Sequence, residues 1–207
     1  MMAKYEFTEA GKGLSQYFTP PSLAKRIVDW AELPRGHRVL EPSAGDGGLV
    51  RFFPRNVRVT AFEMDPQMVE RLRLINHPTI EIHQANFLQV KAKRDAFDVA
   101  IMNPPYEDQA DGKHIAHALR FAERVIALVR ANFEFGVDRY NSLFRWAAIT
   151  RRVVLTRRPP FYGPGDQGHG ARHEYEVLEL VRRETDRRED PTPDQVETEF
   201  WTEAWPI

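Results

Sequence analysis

Cysteine is absent from the 207 residues of this chain. Its absence excludes a disulfide framework, a thiolate metal site and a cysteine nucleophile, and leaves the chain indifferent to redox compartment. Long apolar runs are missing too. The opening Met1-Met-Ala-Lys-Tyr-Glu-Phe7 holds no stretch of signal-peptide length and no run approaches the span of a bilayer, so a soluble cytoplasmic protein without a membrane partner is expected. No internal repeat is found. His114 and His117 lie three apart on an expected helix with no cysteine nearby, which argues for a solvated helix face and against a metal.

Net charge is nearly absent as well, at −1, but the balance conceals an asymmetry. Residues 1–119 are even. From Arg120 to Arg172 ten arginines face four carboxylates, and from His173 to Ile207 four basic residues face eleven acidic ones. A basic third quarter suits a nucleic-acid backbone. Solvated helix faces and strand-flanking arginines are the alternative.

What is present is enough apolar material, 42% of residues, for one full core and one catalytic domain. The most informative four residues are Asn103-Pro-Pro-Tyr106, at the end of the apolar run Asp98-Val-Ala-Ile-Met102. Two adjacent prolines fix φ at about −65° and remove two backbone donors, so the carbonyls around them point outward as acceptors. Asn103 Oδ1 adds a further acceptor. Acceptors beside the Tyr106 ring suit a planar exocyclic amine better than a phosphate. Taken alone, the same strand end reads as an ordinary tight turn.

Upstream, Arg38-Val-Leu-Glu-Pro-Ser-Ala-Gly-Asp-Gly-Gly48 carries a short strand into a glycine-rich loop, and Leu49, Val50, Phe52 and Phe53 suggest a helix stopped by Pro54. Such a loop lets a ligand approach the backbone closely. No Lys-Ser/Thr pair follows the glycines, which disfavours a Walker phosphate site. The next strand, Val57 to Phe62, ends in Glu63-Met64-Asp65, at the place where doubly wound folds put a carboxylate on ribose hydroxyls. A ligand with a ribose but no dominant phosphate fits.

Further β-rich runs recur at Ile80 to His83, Val125 to Val129 and Val153 to Thr156, with helices expected from Ser22 to Ala31, Pro66 to Leu74, His114 to Arg124 and Asn141 to Ala148. This alternation predicts a doubly wound, mostly parallel α/β sheet that gathers Glu41, Glu63, Asn86 and Asn103 at the carboxyl ends of its strands. Arg157 to Gly170 reads as a long surface loop. Tyr175 to Val181 is the last expected strand. Residues 1–15 read as a flexible arm, 16–183 as the catalytic domain and 184–207 as a charged tail, with Phe200, Trp201 and Trp205 as docking anchors.

Together these residues resemble the S-adenosylmethionine-dependent amino-methyltransferases, most closely the gamma-type DNA adenine-N6 methyltransferases. Gln16-Tyr-Phe-Thr-Pro20, Glu41-Pro-Ser-Ala-Gly45 and Asn103-Pro-Pro-Tyr106 follow the order that group uses. The resemblance implies a Rossmann-like class I fold, a seven-stranded sheet with one antiparallel strand, and S-adenosylmethionine as cofactor. It implies catalytic roles for Asn103, Pro104, Pro105 and Tyr106. For the cofactor it implies Tyr17 and Thr19, with Thr19 on the methionine carboxylate, and the backbone of Ser43, Ala44 and Gly45 on the amino-acid moiety. Glu41 orients the loop or meets the ammonium group, Glu63 holds the ribose, and Met64 packs on the cofactor's adenine. Asn86-Phe87 stands where the family usually has an aspartate and an aromatic, so Asn86 loses a charge but keeps one acceptor; a helical-turn cap is its alternative role.

The expected reaction needs neither metal nor strong base. Asn103 Oδ1 and the Pro104 carbonyl would accept the two hydrogens of adenine N6 in a flipped base, with Tyr106 stacked on one face and Phe161 or Tyr162 on the other. DNA is the expected partner. Only about 26 residues follow the last expected strand, so low sequence specificity, or a second subunit for target recognition, is also expected. The alternatives are an RNA base, a protein glutamine, or a cofactor-binding subunit without catalysis.

Overall fold

The computed structural model describes residues 17–161, 173–190, 193–203 and 205. The N-terminal arm, Gln16 and Tyr162 lie outside them. Eight strands are seen: β1 (Arg38–Glu41), β2 (Arg58–Glu63), β3 (Ile80–Gln84), β4 (Phe97–Met102), β5 (Ala122–Arg130), β6 (Ala147–Leu155), β7 (Tyr175–Arg182) and β8 (Glu197–Trp201). They make one sheet in the order β3-β2-β1-β4-β5-β7-β6-β8. Only β7 runs against its neighbours, β5 and β6; every other pairing is parallel.

Alternation along each strand splits the core in two. On one face α1 (Pro21–Trp30) brings Leu23, Ile27 and Val28 against Val39, Val59 and Val99. On the other, Ile115 and Leu119 pack with Leu40, Ala100 and Phe87, where α3 (Ala110–Ala118) lies. Pro21 opens α1 at the first helical position, where a missing N–H costs nothing, so Ser22 falls inside the first turn and is not the cap. α2 (Pro66–Arg73) starts at Asp65, whose carboxylate accepts from Gln67 N at 2.8 Å.

Several expectations shift. The helix expected at His114 to Arg124 begins at Ala110 and ends at Ala118, because Ala122 already pairs with Phe97 in the sheet. The helix expected at Asn141 to Ala148 is a helical stretch over Val137–Phe144 with a wide final turn, and β6 starts at Ala147. After the glycine loop only a single tight turn forms, at Val50–Phe52. The count of seven strands becomes eight, since Glu197–Trp201 joins β6 in parallel. Trp201 and Trp205 are buried there, with Trp30 edge-on to Trp201 and its Nε1 donating to Glu199 at 2.7 Å. Phe200 is exposed.

The charge asymmetry closes on itself when the chain folds. Of the nine described arginines from Arg120 to Arg158, six pair with carboxylates: Arg124 with Glu179, Arg139 with Asp111, Arg145 with Asp186, Arg151 with Glu179 and Glu199, Arg152 with Glu134 and Glu176, and Arg158 with Glu174. Most of the expected nucleic-acid footprint is therefore neutralised by the acidic last quarter. No helix among the described residues is long and apolar enough to cross a membrane.

Candidate active site

The tips of β1, β2 and β4 meet. Ser43 Oγ, in the loop after β1, donates to the Asn103 carbonyl after β4 at 3.3 Å. Asn103 also ties down the segment before α1, its Nδ2 donating to the Tyr17 carbonyl at 2.8 Å and to Thr19 Oγ1 at 3.0 Å. With both amide hydrogens engaged, Oδ1 is fixed in direction. The Tyr106 hydroxyl donates to that oxygen at 2.5 Å, and a carbonyl oxygen has two lone pairs, so one acceptor position remains.

The loop after β1 is braced by one carboxylate. Glu63 Oε1 accepts from the Met64 and Asp65 amides, both at 2.8 Å, and Oε2 accepts from Gly45 N at 2.7 Å. Gly45 has φ of +54°, and a Cβ there would lie 3.3 Å from the Phe18 ring, so glycine is required by conformation and space together. Burial raises the Glu63 pKa against the lowering effect of its backbone bonds. Glu41 is fully buried, accepts from Ser43 N at 3.2 Å, and is held well above the ordinary carboxylate range by desolvation. It braces the loop.

A cavity of about 360 Å³ opens between these tips, lined by Tyr17, Ser43, Gly45, Glu63, Met64, Asn86, Phe87, Asn103, Tyr106 and His114 among others. Tyr17, Thr19, Ser43, Ala44 and Gly45 also line a smaller recess of about 30 Å³ with Glu41 and Asn103. Met64 is half exposed at the mouth, an apolar side chain offered to a flat ligand. Asn86 Oδ1 accepts from Leu88 N at 3.0 Å, which makes it the cap of the following turn; its NH2 group has no partner among the described residues. This set fits an adenosyl ligand: a carboxylate for hydroxyls, a half-exposed thioether for a ring, and an amide at the far wall.

Both rings expected to wall the base pocket are buried. Tyr106 is only 4% exposed, packed edge-on to Tyr175 with ring centroids 5.5 Å apart and tilted against Tyr17 at 6.2 Å. Phe161 is 2% exposed and packs edge-on to Tyr175 at 4.9 Å. As placed, the two rings form one aromatic cluster and do not face each other across a gap. Burial pushes the Tyr106 hydroxyl well above its usual pKa.

Some residues were not anticipated. His114 lines the cavity, with Nδ1 2.8 Å from the Ala110 carbonyl and its pKa lowered by burial; His117 Nε2 lies 3.0 Å from the Val90 carbonyl. Neither sits on a solvated face. Beyond Tyr106 a second cavity of about 500 Å³ is lined by Arg130, Asn132, Phe133, Phe135, Asp111 and Arg139 among others. The Arg130 guanidinium lies 5.2 Å from the Tyr106 ring centre, and its Nε is buried without a partner. Arg130 ends β5 and Asn132 follows it, so the strand-tip rule that found Glu63 and Asn103 reaches them too. Asp108 and Gln109, consecutive residues with φ of 50° and 57°, turn the chain between the two cavities. Left-handed backbone at two non-glycine residues in a row is strained, and strain of this kind gathers at functional turns.

Residues 12–122 match the family model described as ribosomal RNA adenine dimethylase. A type II methyltransferase of Thermus thermophilus is 35% identical over 155 residues, 72% of this chain and 34% of the relative. A dimethyladenosine transferase of Candida glabrata is 37% identical over 93 residues, 42% of this chain and 29% of the relative. The chain thus spans about a third of the length of these curated relatives. Among solved structures, a 23S rRNA methyltransferase superposes with a TM-score of 0.60 at 22% identity, covering 83% of this chain and 71% of that one. That likeness shows the Rossmann-like class I methyltransferase fold, and the family match supports S-adenosylmethionine as cofactor.

Proposed function

The chain belongs to the ribosomal RNA adenine dimethylase family, and on that footing we propose that it transfers a methyl group from S-adenosylmethionine to the exocyclic N6 amine of adenine in DNA. The observation that carries the reading is the fixed carbonyl of Asn103, held by two amide hydrogen bonds and left with one open acceptor position beside the adenosyl-sized cavity.

When bound, the cofactor supplies an electrophilic methyl sulfonium. The protein's part is to present the amine in line with it. The lone pair of N6 is delocalised into the ring, and acceptors on its two hydrogens, Asn103 Oδ1 and the Pro104 carbonyl, favour a tetrahedral nitrogen and stabilise its developing positive charge. With the amine held there, the cofactor would supply the methyl group and keep the sulfur as leaving group, and one N6 proton would pass to solvent. Pro105 holds the turn rigid. Tyr106 orients Asn103 through its hydroxyl, and it offers a face to the base only if its ring turns out of the cluster with Tyr175 and Phe161. For the cofactor, Glu63 would take the ribose, Met64 would pack on the adenine with the buried Phe87 ring behind the pocket wall, and the Ser43 to Gly45 backbone with Thr19 and Tyr17 would hold the amino-acid end. Asn86, whose Oδ1 accepts from Leu88 N and keeps a second lone pair, would meet the edge of the adenine ring.

DNA is supported over other acceptors by the resemblance of the Tyr17 to Pro20 segment to that of DNA adenine methyltransferases and by the long alignment with the type II methyltransferase. An RNA adenine is the second reading, supported by the family model and the dimethyladenosine transferase. Radiolabelled methyl transfer to DNA, RNA and protein of matched concentration separates them: label on N6-methyladenine from DNA is the expected product, and label confined to RNA moves the proposal to the second reading. Target selection by a second subunit or partner is part of the same proposal.

A further inference from the structure

Three cavities run one into the next around α3. The adenosyl cavity and the one beyond Tyr106 share Tyr106 and Asp108; that second cavity and a third, of about 640 Å³, share Gln109, Asp138 and Arg139. The third cavity lies between α3 and the 137–146 stretch. Its lining includes Lys113, Arg120 and Trp146.

Two features of that third cavity point to an occupant. Trp146 is 46% exposed, with the Arg145 guanidinium 5.3 Å from its ring centre on one side; that arginine is bound in turn to buried Asp186. The ring is therefore held in place while half of it stays open. Lys113 and Arg120, both exposed, have no carboxylate partner among the described residues, in contrast to the six internally paired arginines. A half-exposed indole, in one lining with two cations that no carboxylate neutralises, Arg120 contacting only His117 Nδ1 at 3.4 Å, matches what a single strand requires: a flat surface for a base and positive charge for the backbone. The acid in the lining, Asp138, lies where this cavity meets the second one, beside Arg139, whose Nη1 is buried without a partner.

We infer that this groove holds a nucleotide several positions from the target adenine in a locally unpaired DNA strand, with Trp146 stacked on its base and Lys113 and Arg120 on its phosphates. The inference rests on the reading of the substrate as nucleic acid and adds where the neighbouring part of the strand lies. It also gives the protein a means of favouring unpaired over fully duplex targets.

The test is fluorescence anisotropy of a labelled adenine-containing single-stranded DNA oligomer, titrated with wild type, Trp146→Ala, Trp146→Phe and the double variant Lys113→Gln/Arg120→Gln. Trp146→Ala should weaken binding about tenfold and Trp146→Phe should recover most of that loss. The double variant should lower the slope of log affinity against log salt by roughly 1.4. Calorimetry with S-adenosylmethionine should give the same affinity for all four proteins, which separates a groove effect from misfolding. Wild-type DNA affinity in Trp146→Ala overturns the inference, and so does a loss seen with RNA of the same sequence and not with DNA. If the wild type transfers no methyl to DNA while Trp146-dependent binding persists, the proposed reaction fails and the groove stands.

Discussion

The Tyr106 hydroxyl sits 2.5 Å from Asn103 Oδ1 and 3.2 Å from the Leu128 carbonyl, a buried donor shared between the corner of the site and the backbone of β5. Asn103 is held from its other side by Tyr17 and Thr19, so the two variants should separate. Asn103→Ala should lower kcat by about 10²-fold or more, the scale for removing an oriented polar group from a reacting atom. Tyr106→Phe should lower it by about tenfold or less, because two of the three tethers on Asn103 survive. Equal losses in single-turnover assays would mean that the tyrosine does more than orient.

Glu63 satisfies three backbone amides of the cofactor loop and the β2 tip. Glu63→Ala leaves those donors unpaired, at about 1 to 3 kcal/mol for each that stays buried. Loss of both thermal stability and cofactor affinity is expected, the latter by about tenfold in calorimetry. Weakened binding with an unchanged melting temperature would show that the carboxylate serves the ligand alone.

Burial raises the Glu176 pKa to about 7, against the opposing pull of Arg152. Between about 4.5, the ordinary glutamate value, and 7 the folded chain binds more protons than the unfolded one. This group's contribution to stability therefore falls as pH rises through that window and is level above it. Glu176→Gln, which does not ionise, should flatten the decline in urea midpoint between pH 5 and pH 8. An unchanged profile would assign the pH dependence to other groups.

Arg124 meets Glu179 at 2.6 Å, and that carboxylate also accepts from Thr150 Oγ1 at 2.8 Å and lies 3.6 Å from Arg151. Arg124→Gln should cost about 1 to 3 kcal/mol of stability, measured by urea unfolding, because a buried carboxylate loses its nearest cation. Nucleic-acid affinity should stay within about twofold of wild type. A large loss of affinity without loss of stability would return this arginine to the binding surface.

The strand tips were legible because each pairs an apolar run with a polar residue of special chemistry: Glu41, Glu63, Asn103. The antiparallel β7 was reached through resemblance and is found at Tyr175–Arg182. The start of β6 was hidden, since Ala147 and Ala148 are good helix formers and only their pairing with Arg182 and Val181 puts them in the sheet. β8 was hidden for another reason. Its alternation of acidic and apolar residues reads as a solvated tail until Glu199 finds Trp30 and Trp201 finds the core. Charge patterning misled most, because composition counts arginines without saying which carboxylates the fold will bring to them. The burial of Tyr106 and Phe161 was equally out of reach: a ring beside a reactive corner looks the same in sequence whether it faces a base or another ring.

The edge-on contact of Trp30 with Trp201 ties α1 to the last strand, and α1 follows directly on Tyr17 to Pro20, the segment clasped by Asn103. During synthesis the first helix therefore waits for Glu197–Trp201 to emerge before Trp30 gains its partners. The corner clasped between Tyr17, Thr19 and Asn103 is braced on that side late in translation, and a ribosome stalled before residue 201 holds a chain in which α1 still lacks this support.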